Sequence, residues 1–244
     1  MRTGLKNNLL DDLWLPIIHK FGSAHLTPSK KNKEMKVLTL TSDHDYQEIA
    51  RLEEDKLTTR QCVTAWTYSH FKKLRLETEI SPAKVAGTTR FEDSIWSTSL
   101  SIKNQFPFHL INLDFSSQDP SLEIGRIEKE IACLEGTLKI QKDAGGHNFV
   151  LTYTTIINSS QLDYSSVVKL SNSLLVPGWS GLTATDFPPQ IDKYEDKMRC
   201  IRETLAKMCL KYNYECEAEA KGILLDDLPG YVYSVAAIIE ERGA

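Results

Sequence analysis

Hydrophobic and polar positions along this chain fall into two rhythms, and the sharpest segment is Phe106-Pro-Phe-His-Leu-Ile-Asn-Leu-Asp-Phe115. It is an apolar run that ends on one acid, Asp114, before the polar turn Ser116-Ser117-Gln118-Asp119-Pro120. A short apolar run bounded by turn residues and followed by helical spacing predicts a strand buried on both faces. Upstream, Val37-Leu-Thr-Leu-Thr41, Cys62-Val-Thr-Ala-Trp-Thr-Tyr68 and Lys84-Val-Ala-Gly87 read as three further strands. Residues 5–21 carry Leu5, Leu9, Leu10, Leu13 and Ile17 at helical spacing, and Pro16 should start a new helix or kink one. Ser42 or Asp43 can cap a helix through Tyr46, Ile49, Ala50 and Leu52.

Downstream of Pro120, Leu122, Ile124, Ile127, Ile131, Leu134 and Leu138 keep helical spacing until Ala144-Gly-Gly146. A fifth strand follows over 148–157. Residues 158–190 break the alternation with Ser, Thr, Asn, Pro and Gly, and a loop of that length inside a domain is functional or mobile. The longest helix is expected from Ile191 to Tyr212. The chain closes with strand-like runs 214–224 and 231–239, joined by Asp226-Asp-Leu-Pro-Gly230, which predicts an antiparallel hairpin. Alternating strands and helices indicate an α/β domain with a mostly parallel sheet and helices on both faces.

Composition changes this picture little. Of the 244 residues, 41% are hydrophobic and 25% charged, as in ordinary globular proteins. The formal charge of −4 gives no general affinity for polyanions, so nucleic acid is not indicated. Two basic clusters (Lys30, Lys31 and Lys33; Lys72, Lys73 and Arg75) sit among acids and read as solvated surface. Five scattered cysteines without a CxxC pair indicate neither a zinc site nor a disulfide framework, and they suggest a reducing compartment. No stretch approaches the roughly 18 apolar residues of a membrane span, and no signal-peptide core is present, so the expectation is a cytoplasmic protein.

Candidate chemistry is sparse. Asp114 sits where open α/β sheets place ligands, at the carboxyl end of a central strand, although its side chain can equally cap the following turn. Asp43, His44 and Asp45 are adjacent in sequence, and adjacent residues rarely converge on one metal; capping explains them without chemistry. His109 reads as a satisfied core residue and His147 as a surface one. Thr88, Thr89 and Arg90 are a weak phosphate cradle. Trp179, in Pro177-Gly-Trp-Ser-Gly181, could sit in a lid or meet a protein partner. No GxSxG elbow, P-loop or GxGxxG is present.

Five strand–helix units, a long helix and a terminal hairpin resemble the class I S-adenosylmethionine-dependent methyltransferase family, a Rossmann-like fold, across roughly residues 35–240. The resemblance implies a seven-stranded sheet in the order 3-2-1-4-5-7-6 with the last strand antiparallel. Residues 1–34 would be an N-terminal helical extension and 35–244 the methyltransferase-like domain. It also implies that Asp114 lies near methyl donor and substrate, that Glu92 and Asp93 lie near the adenine, and that the region of Asp43 and Tyr68 meets the rest of the cofactor.

The chain departs from the family where the cofactor binds. The first loop is normally glycine-rich, because backbone must approach the methionine end closely. Here it is Thr41-Ser-Asp-His-Asp-Tyr46, and no glycine occurs between Gly22 and Gly87. At the end of strand two the ribose-binding acid is replaced by Thr67, Tyr68 and Ser69. Three readings follow. The first is a degenerate methyltransferase fold without cofactor, serving as a non-catalytic interaction or regulatory subunit with a protein partner. A multi-subunit prokaryotic assembly such as a defence system would suit such a subunit. The second is a divergent, active enzyme that uses S-adenosylmethionine. The third is a nucleotide- or small-molecule-sensing module built on the same cleft.

Overall fold

The computed structural model describes residues 7–26, 34–40, 47–66, 85–86, 103–115, 126–158, 194–224 and 230–243. Seven strands form one sheet: β1 Val37–Leu40, β2 Val63–Trp66, β3 Val85–Ala86, β4 Leu110–Asp114, β5 Asn148–Asn158, β6 Tyr214–Leu224 and β7 Gly230–Glu241. Their order across the sheet is β3-β2-β1-β4-β5-β7-β6, as the family resemblance implies. Pairings from β3 through β5 are parallel, and β7 runs against both β5 and β6. Every residue of β1, β2 and β4 is buried, which is why they read as apolar runs without clean alternation.

Helices cover both faces. Successive strand residues point to opposite sides, so each strand serves two cores. One core joins Leu38, Ile111, Leu151 and Val235 to α3 (Arg126–Asp143) and α4 (Tyr194–Lys211) through residues such as Leu134 and Leu205. The other joins Val37, Leu110, Val150 and Ala236 to α1 (Leu15–His25) and α2 (Gln47–Glu54). The π-helical turn Leu10–Trp14 leads directly into α1 and contributes Leu10, Leu13 and Trp14 to that second core.

Pro16 explains the π-helical turn. A proline inside an α-helix lacks the N–H and its ring crowds the carbonyl four residues back. Widening the preceding turn accommodates Pro16 at the start of α1, and the helix continues without a break. The expected helix start is found here: α1 begins at Leu15 with Pro16 in its first turn, continuous with the π-helical turn before it. His109 also differs from expectation. It lies one residue before β4 and is exposed, and its Nδ1 accepts the Lys36 backbone N–H (2.9 Å), so it guides β4 into the sheet instead of filling the core.

A buried glutamine fixes the entry to β4 from the other side. Gln141 donates to the Phe108 carbonyl (2.7 Å) and accepts the Phe108 N–H (3.0 Å). Gly146 passes so close that a Cβ there would lie 2.4 Å from the Gln141 amide nitrogen, which requires glycine. Gly145 ends α3 with a φ of +77°.

Burial pushes the Tyr214 and Tyr233 hydroxyls well above the ordinary phenol range. The folded chain therefore holds protons that the unfolded chain releases above about pH 10, so stability is complete below that pH and falls as pH rises past it. Urea midpoints should be flat to about pH 9.5 and drop beyond it, and Tyr233→Phe should make the drop shallower. An equally steep drop in that variant would refute the assignment.

Candidate functional site

The site is built from the polar residues of otherwise apolar strands. Thr39 of β1, Asn112 of β4 and Thr152 of β5 lie side by side in register. Two residues further along, Asp114, Thr154 and Ser234 form a second row across β4, β5 and β7. Both rows share the face that carries Val37, Leu110, Val150 and Ala236, the face covered by α1 and α2. All six residues are buried.

In the first row each side chain takes one place in a chain of hydrogen bonds. Thr152 Oγ1 donates to Asn112 Oδ1 (2.8 Å), and Asn112 Nδ2 donates to Thr39 Oγ1 (3.2 Å) and to Glu48 Oε1 (3.1 Å). Thr39 Oγ1 in turn donates to Glu48 Oε1. Glu48 comes from α2 and is only 4% exposed, so its carboxylate has left water and depends on these donors. A cavity of about 10 Å³ adjoins the row, bordered by Glu48, Asn112 and Thr152 and by Trp14 of the π-helical turn.

The Ser234 end of the second row meets the same tryptophan. Trp14 Nε1 donates to Ser234 Oγ (2.9 Å), and Ser234 Oγ lies 2.8 Å from Thr154 Oγ1. Asp114 is 3% exposed at the end of this row, beside Thr154, whose carbonyl accepts the Phe115 N–H (2.8 Å). Beyond Thr154, β5 runs on to Asn158, four residues or roughly 13 Å past the end of β4. It stays paired with β7 over that length, so a β-ribbon stands beside the carboxyl end of β4.

On the opposite face, Tyr153 donates through its hydroxyl to Glu130 Oε2 of α3 (2.8 Å), and Lys207 of α4 is buried in the same layer. Among the described residues no three His, Cys, Asp or Glu side chains gather in a way that could hold a metal ion, and no helix is long and apolar enough to cross a membrane.

No protein-family model matches the chain, and no curated protein matches it by sequence. Solved structures do. M. jannaschii TYW2 in complex with AdoMet aligns at a TM-score of 0.45 and 10% identity, covering 93% of this chain and 75% of that one. A candidate rRNA-methylase from Clostridium thermocellum aligns at 0.42 and 9%, covering 91% and 96%. A candidate transferase from Pyrococcus horikoshii, PH0793, aligns at 0.43 and 8%, covering 93% and 64%. At these TM-scores the strand order of the sheet itself carries the fold. The chain has the class I methyltransferase fold.

Within that fold, Asp114 is the one sequence-predicted site residue that can be placed. It ends β4 as expected, but under cover. Asp43, Tyr68, Glu92 and Asp93 lie outside the described residues, as do His44, Thr88 to Arg90, Trp179 and both basic clusters. Glu48, Asn112, Thr152, Thr154, Ser234 and Trp14 were not singled out by sequence. A signal was present: Thr39, the pair Asn112 and Asp114, the pair Thr152 and Thr154, and Ser234 all interrupt apolar strands at a two-residue period.

Removing the donors of Asn112 should leave the Glu48 carboxylate poorly solvated. Asn112→Leu should cost about 2–4 kcal/mol of stability in urea unfolding, while Asn112→Leu combined with Glu48→Leu should recover most of it. Additive losses in the double variant would show that the two side chains do not depend on one another. Trp14→Phe should cost about 1–3 kcal/mol, and the loss should shrink when Ser234→Ala is also present.

Proposed function

We propose that this chain is a methyltransferase-fold protein whose donor-binding edge has been given over to internal packing, and that it serves as a non-catalytic interaction or regulatory subunit of a larger assembly. The observation that carries this reading is Asp114. A carboxylate that holds a ligand at a strand end must face it, whereas Asp114 is buried, in register with Thr154 of β5 and through it with Ser234 of β7.

The glycine-free segment Thr41–Tyr46 supports the same reading. A side chain on every residue of that turn obstructs the close backbone approach that the cofactor's methionine end needs. Asp43 or Asp45 beside the cofactor carboxylate would repel it by about 1 kcal/mol at 4 Å in water, and by more in a drier cleft. Loss of a ribose-binding acid at the end of β2 removes a charge-assisted hydrogen bond worth about 1.5–3 kcal/mol. Deficits of roughly 3–4 kcal/mol weaken binding by two to three orders of magnitude.

Calorimetric titration of the full chain with S-adenosylmethionine tests the proposal. The expected result is no binding stronger than about millimolar. Micromolar binding that disappears in Asp114→Ala would overturn it and make the chain an active-site-bearing methyltransferase.

A further inference from the structure

β6 is the last strand in the sheet order, and among the described residues β7 is its only neighbour. At 11 residues it is a long edge, with a row of backbone groups that another strand can pair with. One bond shows which groups these are. The Arg242 N–H donates to the Asn213 carbonyl (3.0 Å), in the register that then runs unbroken through the β6–β7 ladder. Hydrogen-bonded positions alternate along an antiparallel ladder. Odd-numbered residues of β6 therefore direct their N–H and C=O to β7, and Ala218, Ala220 and Gly222 turn theirs outward.

The two faces beside this open edge differ. Cys216 and Ala218 pack against the core under α4, whereas Ala220 and Gly222 on the same side are exposed, so the cover of α4 stops short of them. The other face carries the exposed acids Glu215, Glu217 and Glu219 and the partly exposed Lys221. Charges of this kind ordinarily keep strands apart. Here Arg242 pairs with Glu215 and Lys20 with Glu217 within the chain, while Lys221 meets Asp12 (2.6 Å). Among the described residues no cation meets Glu219. An exposed acid and an exposed base therefore stand two positions apart, on either side of Ala220.

We propose that β6 pairs with β6 of a second copy of this chain, antiparallel about a two-fold axis at Ala220, so that two seven-stranded sheets become continuous. The charges select this register. Outward backbone groups sit on even-numbered residues, so even positions must face even positions. A two-fold at Ala218 sets Glu217 opposite Glu219 twice, and one at Glu219 or at Lys221 sets that residue against itself. Like charges directly opposite are destabilising. A two-fold at Gly222 leaves Glu219 and Lys221 without each other. With Ala220 opposite Ala220, Glu219 faces Lys221 on both sides of the axis, Glu217 faces Ile223, and no like charges meet. The Glu219–Lys221 pairs flank a hydrogen-bonded pair, which makes them the closely spaced kind, about 4.5 Å between Cα atoms. The axis also falls where α4 has left the strand, so the two copies of that helix pass on either side of it. The pairing is independent of whether the chain binds S-adenosylmethionine.

Sedimentation of the full chain over a concentration series from about 1 to 100 micromolar tests the proposal, since a single strand pair is a small interface of moderate affinity. The expected result is a mass that rises from that of one chain to that of two. Glu219→Lys and Lys221→Glu should each weaken the dimer about tenfold, and the two together should restore it. Ala220→Pro removes an outward N–H and leaves the bonds to β7 in place, so it should give a monomer with an unchanged Tm. A single-chain mass throughout the series would overturn the proposal. So would a dimer that Glu219→Lys and Ala220→Pro leave intact, because it would use another surface. Loss of the dimer in both single charge variants without recovery in the double variant would overturn the register.

Discussion

A buried polar group must find a partner inside the protein, and the carboxyl half of this sheet is organised around that requirement. Thr39, Asn112, Thr152, Thr154 and Ser234 put polar side chains on a face that α1 and α2 then cover. The cover is chemically matched to what lies beneath it. Glu48 of α2 collects the donors of the first row, and Trp14 of the π-helical turn donates to the second. Apolar packing alone would let these helices slide along the sheet. A carboxylate and an indole N–H that must each meet a particular hydroxyl or amide define one register.

The π-helical turn belongs to the same arrangement. Pro16 forces the preceding turn to widen, and Trp14 is the last residue of that widened turn. The change of pitch therefore helps to set the direction of the indole relative to Ser234. Outside the core, Lys20 to Glu217 and Lys221 to Asp12 tie the same helical segment to β6. These exposed pairs contribute little to stability, but they agree with the buried contacts about where the helix lies. In a methyltransferase fold, the carboxyl edge of β1 and β4 is the place where sheet and ligand meet. Near that edge Thr39 and Asn112 hydrogen-bond with Glu48 of α2.

The sheet was legible in the sequence because each strand carries a local signature. Phe106 to Phe115 is apolar and bounded, 148–158 is β-branched and aromatic, and the terminal hairpin is marked by Pro229-Gly230. Strand order followed from the sequence of elements and from resemblance to a family. The site was much less legible. Asp114 looks the same in sequence whether it is open to a ligand or buried, because nothing local says what lies above a strand end. Glu48 reads as one more solvent-facing acid of an amphipathic helix, and only the tertiary placement of Thr39 and Asn112 shows that it is buried. His109 was misread for the opposite reason: an apolar neighbourhood suggested the core, yet the residue stands one position outside the strand.

The central claim is that the carboxyl edge of β1 and β4 is completed by the chain itself. Amide hydrogen exchange at residues 37–40 and 110–114, with and without millimolar S-adenosylmethionine, tests this most directly. Exchange there reports opening of the polar rows, and a ligand that completes the edge would slow it by mass action. The account predicts slow exchange that the ligand leaves unchanged and that Asn112→Leu accelerates. Exchange slowed severalfold by S-adenosylmethionine at these same amides would contradict it.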